Sequence, residues 1–130
     1  MLVIRAEQLR VLGELVRAQF VARLAAHVRQ QRPDACAKLS EGDLEALVAQ
    51  GVERAASFGF TAESDASRFV LTLFTIGMDF PSDPRHGWAR SILDPHSGRL
   101  SSFRSEQLLE EATAWANDQL EVAPAATEGA

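Results

Sequence analysis

The sequence has little that could hold a fold together apart from side-chain packing. Its one cysteine, Cys36, excludes an internal disulfide. No apolar run reaches the ~18 to 20 residues that a membrane-spanning helix needs, and the first ten residues lack the cationic segment and cleavage site of a signal peptide. We therefore expect a cytoplasmic protein that folds around an apolar core and does not contact a membrane.

Positive charges are outnumbered, since 13 Lys/Arg stand against 18 Asp/Glu and the net charge is −5. This balance argues against general nucleic-acid binding. The charge is uneven: residues 1–38 carry seven Lys/Arg and three Asp/Glu, a net +4, and residues 39–130 carry six and fifteen, a net −9. The simplest interpretation of the basic part is a solvated helix face. The alternative is a basic strip that meets an acidic partner or the acidic remainder of the fold.

No alternating strand pattern is present, and tyrosine is absent. With 130 residues, of which 46% are apolar and 24% charged, the chain is long enough for one globular domain. These features predict an all-α single-domain bundle of about five helices over residues 1–121. Residues 122–130 have no periodicity and are expected to form a flexible C-terminal tail.

The first predicted helix runs from Arg5 to about Gln31 and ends before Pro33. Its apolar residues are three or four positions apart, which is typical of one buried face. The face consists of Leu9, Leu12, Val16, Phe20, Leu24 and Val28, widened by Val11, Leu15 and Val21.

Two further helices follow. Ser40 is expected to cap the second, with Asp43 three residues later. The third, a central apolar helix over about residues 62–77, is expected to start at a Thr61 cap and to stop at Gly77. Its residues leave little polar surface, so we expect it to be covered on most sides.

A connector, "MDFPSDP", leads into the last two helices. Phe80 is expected to pack back onto the central helix. Asp83 can cap a short helix that has Pro84 at its first position and extends to about Leu93. Trp88 would face inward from this helix. The last helix is predicted over about residues 102–121.

The chain carries no recognisable catalytic motif. It lacks the Gly-x-Ser-x-Gly elbow of a nucleophilic serine and the glycine-rich loop that binds phosphates. Cys36 and His27 could form a pair, but a lone cysteine in a helical protein is usually a small buried hydrophobe. We therefore expect a protein that is not an enzyme and needs no cofactor.

One metal site is conceivable. Asp79, Asp83, His86, Asp94 and His96 lie within 18 residues of one another. Their spacing does not match the helical pairs that bind zinc or iron, and two of the aspartates precede prolines at helix ends. Helix capping is therefore the favoured interpretation, and a metal site is the alternative.

Arg68 is one of the few charges on the central helix. It could pair with Asp65 or reach across to Asp79 or Asp83. A buried bridge of this kind would fix the geometry of the connector.

The segment "ERAASFGFTAESDASRFVLTLFTIGMDFPSDPRHGWARSIL", residues 53–93, resembles a group of small helical bacterial proteins encoded beside type VI secretion genes, near spike-tip and effector components. The shared pattern is carried by Glu53, Arg54, Ala55, Gly59, Thr61, Glu63, Asp65, Gly77, Asp79, Phe80, Asp83, Pro84, Arg85, Trp88 and Ala89. The resemblance covers about a third of the chain directly. It implies an accessory or adaptor protein that helps to load or shield an effector, and it implies no catalytic residue.

The expected function is accordingly that of a protein-interaction module. Arg85, His86 and Arg90 are predicted to form the polar rim of the contact surface, with Phe60 and Met78 as apolar anchors. The partner would be an effector, a spike component or a toxin. The alternatives are an immunity protein that neutralises a toxin, which an acidic surface suits, and a small metal-dependent enzyme.

Overall fold

The structure is a computed structural model that describes the backbone of residues 5–128 and the side chains of residues 5–120. It confirms the predicted all-α domain: it is 79% helical, its described part contains no strand, and four of its six helices are seven residues or longer. The helices are α1 (Ala6–Gln31), α2 (Pro33–Cys36), α3 (Glu41–Ser57), α4 (Glu63–Ile76), α5 (Ala89–Leu93) and α6 (Ser101–Glu128). Residues 1–4, which the predicted domain includes, lie outside the described residues.

The chain divides into two compact units, residues 1–49 and 50–130. In the first unit, the second half of α1 buries one apolar face, and Cys36 is fully buried. The Arg29 guanidinium donates hydrogen bonds to the carbonyl oxygens of Cys36, at 3.2 Å, and of Leu39, at 3.0 Å. These bonds fasten the end of α1 to the segment that leads into α3. The predicted Ser40 cap is confirmed, since its Oγ accepts a hydrogen bond of 3.1 Å from the Asp43 amide.

The prediction that α1 buries one continuous face is wrong for its first half. The buried residues of α1 begin at Phe20, and every residue from Arg5 to Gln19 is exposed. The physical reason is length. With 26 residues, α1 is about 39 Å long, whereas ~30 Å already spans a small domain.

In the second unit, α4 is the predicted apolar helix, and it packs mainly against α6. Eight of its fourteen residues are buried. The second part of α3 also approaches α4 closely, at Gly51. A methyl group on Gly51 would lie 2.9 Å from a Val70 methyl carbon, so only glycine fits there without a shift of the neighbouring side chain.

Phe69, in the middle of α4, is the centre of an aromatic cluster. Its ring centroid lies 5.5 Å from that of Phe58, 6.0 Å from that of Phe60 and 5.6 Å from that of Phe80. Tilted ring pairs at such distances add to the stabilisation from burial alone. Phe80 packs back onto the helix as predicted, and it thereby holds the connector against α4.

The observed ends of α4 match the ends predicted from the sequence only in part. Gly77 ends the helix with a φ of +119°, a conformation that a residue with a side chain rarely adopts. The prediction for Thr61 is wrong. The N-cap of α4 is Ala62, which offers no side-chain acceptor, and Thr61 is exposed one residue earlier.

The helix predicted from Pro84 to about Leu93 is interrupted. The structure has two 3-10 turns, Phe80–Ser82 and Pro84–His86, and then the short helix α5. The predicted cap is nevertheless present, because Asp83 accepts a hydrogen bond from the Arg85 amide and Pro84 follows it. Gly87 lies between the second turn and α5, at the point where the predicted helix is interrupted.

Arg104 of α6 joins three segments of the second unit from a buried position. Its guanidinium donates to the carbonyl oxygens of Phe58, at 2.8 Å, and of Ile92, at 3.2 Å. It also lies 4.6 Å from the ring centroid of Phe60. Backbone carbonyls and an aromatic face therefore surround this cation.

The last helix starts at Ser101 and continues to Glu128, which is later than the predicted end near residue 121. Residues 122–128 of the predicted flexible tail therefore continue the helical backbone. Residues 129 and 130 lie outside the described residues.

We expect Phe60→Ala to lower the free energy of unfolding by about 3–5 kcal/mol, because a fully buried ring would leave a cavity. Phe103→Ala is the matched control. That ring is 53% exposed, so we expect a loss below ~1 kcal/mol. Urea denaturation of both variants measures the difference. Equal losses would contradict the placement of Phe60 in the core.

Candidate functional site

The polar connector contains one exposed ion pair. The Arg85 guanidinium donates to Asp83 Oδ2 at 2.9 and 3.2 Å and to Oδ1 at 3.3 Å, while the Arg85 amide donates to Oδ1 at 2.9 Å. These hydrogen bonds lower the pKa of Asp83 and raise that of Arg85. The carboxylate therefore closes a turn, as the capping interpretation predicts.

His86 is buried, with 2% of its surface exposed. Its ring centroid lies 4.6 Å from the Trp115 ring and 6.0 Å from the Trp88 ring, and both contacts are edge-to-face. Neither imidazole nitrogen has a hydrogen-bond partner among the described residues. The prediction that His86 belongs to the rim of a contact surface is therefore wrong, because the two tryptophans enclose it.

The remaining members of the possible metal set do not gather around His86. Asp94 ends α5, and its Oδ1 accepts a hydrogen bond of 2.8 Å from the His96 amide, which is a local turn. Asp79 lies exposed before the first 3-10 turn. Within the described part of the chain, no group of three or more His, Cys, Asp or Glu side chains is placed to hold a metal ion.

The predicted partner-binding residues lie in different environments. Phe60 is fully buried, so its prediction as an exposed anchor is wrong. Met78 is half-buried, and its carbonyl oxygen accepts a hydrogen bond of 2.7 Å from Arg54. Arg85 and Arg90 are exposed, and their role in partner binding stays a prediction.

The arginine bridge of the central helix is present, but it is directed towards α6. Arg68 donates to Asp65 at 3.2 Å, as one of the three predicted pairings requires. Its other contacts are the Ser105 hydroxyl at 3.0 Å and Glu106 at 3.5 Å, not Asp79 or Asp83.

Asp65 is a buried carboxylate with several donors. The hydroxyls of Ser101 and Ser105, both in α6, donate to it at 2.9 and 2.8 Å. With the bond from Arg68, the carboxylate has three donors and lies at the junction of α4 and α6. This arrangement satisfies a buried charge and explains the cluster as a structural link between two helices.

The first half of α1 carries most of the large apolar side chains that the structure leaves exposed among the described residues. Five large side chains there, Leu9, Val11, Leu12, Leu15 and Val16, are each 50–54% exposed. An open depression of about 530 Å³ has Val11, Leu12 and Leu15 among its described lining. Contiguous apolar surface of this kind marks sites of protein interaction. We define these five residues as the α1 apolar face.

The charged side chains of this half-helix lie mainly on its other side. At 100° per residue, Glu7, Arg10, Glu14 and Arg17 fall within one arc opposite the α1 apolar face. Arg10 and Glu14 pair with each other at 2.9 Å, and both are exposed. The α1 apolar face is therefore uncharged over about two turns. Arg5 lies at its edge, and Arg5 and Glu7 also line the depression.

Sequence reasoning identified these five residues but assigned them to the core. The signal that could have corrected it is the length of the periodic segment, since a helix of about 39 Å exceeds what a small domain can cover. Periodicity alone does not distinguish a face that the same chain buries from one that it leaves open.

Comparison with protein-family models, with curated proteins and with solved structures finds no match to this chain. In the described part of the chain, no helix combines the length and the apolar content needed to cross a membrane.

We expect Arg68→Ala to lower the free energy of unfolding by about 1–3 kcal/mol, because it removes one of three donors from a buried carboxylate. Arg10→Ala is the matched control: it breaks an exposed helical pair of comparable length and should cost about 0.5 kcal/mol or less. Thermal and urea unfolding of both variants measure the difference. No loss in Arg68→Ala would contradict a structural role for this bridge.

The Asp83 carboxyl should titrate below its ordinary pKa of 3.8 because Arg85 donates hydrogen bonds to its charged form. Any stability from this contact is thus present above the ordinary pKa and lost as the pH falls through the lowered pKa. Carbon-13 NMR of the side-chain carboxyl over a pH range of roughly 2 to 6 measures the midpoint. Arg85→Ala should return the midpoint towards 3.8. An unchanged midpoint would refute the assigned cause.

Proposed function

We propose that this chain is a non-catalytic protein-interaction module that binds a partner protein through the α1 apolar face. The observation that carries the proposal is the half-exposure of five large apolar side chains on one face of a formed helix. A helix that presents such a face suits an apolar groove or a second apolar helix face in its partner.

The electrostatics of the surface define the chemistry of that partner. Because the α1 apolar face carries no charge, its complement should be apolar and uncharged, with polar groups only at its edge. The flanking side of the helix carries charges of both signs, so it favours no strongly charged partner.

The resemblance of residues 53–93 to the type VI secretion group supports one class of partner. It suggests an effector or a spike component, for which this chain would act as an accessory or adaptor. The α1 apolar face lies outside the resembling segment, so the two arguments are independent.

Three aspartates, in α4, in the connector and at the end of α5, support the non-catalytic part of the proposal. Asp83, Asp94 and Asp65 are each engaged in a turn, a helix end or a helix–helix link. None of these arrangements brings a base to a nucleophile. Stoichiometric zinc or iron in the purified protein would contradict this part of the proposal.

The test is a binding titration with the purified product of the gene that neighbours the gene of this chain. We expect Leu12→Asp to weaken binding about 30-fold or more, since a central apolar anchor is worth ~2 kcal/mol or more. Leu12 is exposed, so this substitution should leave the fold intact, which circular dichroism verifies.

Two matched controls define the result. Arg10→Ala changes the opposite side of the same helix and should alter the affinity less than about threefold. Arg90→Ala tests the predicted rim in the second unit. Loss of binding in Arg90→Ala with full binding in Leu12→Asp would move the contact surface to the connector.

Rescue of cells from a toxin encoded nearby would favour the immunity alternative over the adaptor.

A further inference from the structure

The exposed half of α1 contains a palindrome. Read from either end, residues 8–19 give the pattern Gln-x-Arg-Val-Leu-x-x-Leu-Val-Arg-x-Gln. The symmetry point lies between Gly13 and Glu14. The pairs that it relates are Gln8 and Gln19, Arg10 and Arg17, Val11 and Val16, and Leu12 and Leu15.

On a helix this palindrome produces a symmetric face. Gln8, Leu12, Leu15 and Gln19 are separated by four, three and four positions, which is the spacing of the central residues in a coiled coil. All four are exposed in the structure. Val11 and Val16 flank the two leucines on opposite sides, and the two arginines point away from the face.

We infer that a second copy of this chain occupies the α1 apolar face, with the two α1 helices antiparallel. In that arrangement the two-fold axis lies between the two helices, at the level of the peptide bond between Gly13 and Glu14. Leu12 of one copy meets Leu15 of the other, and Gln8 meets Gln19. Such a self-complementary patch is what an isologous two-fold interface requires.

The glutamines give this pairing its register. In one chain, Gln8 Oε1 accepts a hydrogen bond of 2.9 Å from the Arg5 amide, which leaves the Gln8 amide hydrogens as donors. Gln19 of the second copy offers a side-chain oxygen at the same level. A polar layer on each side of two leucine layers disfavours a shifted alignment, because a shift would place glutamine against leucine.

The size of the contact sets the expected affinity. Residues 8–19 span about 18 Å of helix, which is less surface than the ~800 Å² per partner of a standard stable interface. We therefore expect a reversible dimer with a dissociation constant on the order of micromolar. Since the dimer covers the surface proposed for the foreign partner, the two associations should compete.

Sedimentation velocity of the purified full chain over a wide concentration range tests the inference without a foreign partner. We expect a monomer–dimer equilibrium that Leu12→Asp weakens about 100-fold, because the substitution occurs twice in the dimer. Leu100→Asp changes an exposed leucine in the second unit, 75% exposed against 52% for Leu12, and should leave the equilibrium unchanged. A monomer at every concentration, or a dimer that survives Leu12→Asp, would overturn the inference.

A pair of double variants tests the orientation. Both contain Gln8→Glu, which keeps an acceptor for the Arg5 amide, and they differ only at position 19. With Gln19→Lys, antiparallel helices gain two opposite-charge contacts; with Gln19→Glu, they gain two like-charge contacts. We expect the first variant to dimerise about tenfold or more tightly than the second.

Parallel helices give another outcome. Identical positions then meet, so both double variants place like charges together and both dimerise more weakly than the unmodified chain. That result, or equal dissociation constants for all three proteins, would refute the antiparallel pairing. No foreign protein takes part in this experiment, so its failure is distinguishable from failure of the proposed function. If the chain never dimerises but the proposed function is correct, the unmodified chain still binds the foreign partner and Leu12→Asp still abolishes that binding.

Discussion

Burial of α4 is the constraint on which the larger unit depends. A helix with apolar residues on most of its sides is stable only when other segments cover it. In this chain α6 covers one side, the second part of α3 approaches at Gly51, and Phe80 returns from the connector to the Phe69 ring. The short connector, with its two 3-10 turns, follows from this requirement, since the chain must leave α4 and immediately fold back over it.

The polar groups near α4 are arranged so that the buried charges find donors or acceptors. Asp65 receives hydrogen bonds from Ser101 and Ser105, and Arg104 is surrounded by carbonyl oxygens and the Phe60 ring. A buried charge without such neighbours would be costly. Asp65 and Arg104 therefore join α6 to neighbouring segments of the second unit. Some buried polar atoms remain unpaired among the described residues, namely both ring nitrogens of His86, the Nε of Arg104 and the Oε1 of Gln107.

Helix α1 follows a different constraint. Its second half has a buried face, and its first half carries apolar residues at the same spacing with nothing described to cover them. An isolated helical segment of this length is marginal in water, since most helical stability comes from packing of an apolar face. Among the described residues, the first half of α1 therefore leaves apolar surface uncovered, and this is the surface that we propose binds another protein chain. The palindrome of residues 8–19 is the reason for proposing a second copy of the same helix.

The sequence by itself determined the helical class, the existence of α1, α3, α4 and α6, and several of their ends. It did so because these features depend on neighbours along the chain: periodic apolar residues, the Ser40 cap, and the glycine that ends α4. Only the tertiary structure decided which apolar residues are covered. Phe60 and Leu12 are both large apolar residues in or beside helices, yet one is fully buried and the other half-exposed. Burial depends on segments distant in sequence, and no described segment covers the first half of α1, which is why the same periodic pattern yields core in one place and exposed surface in another.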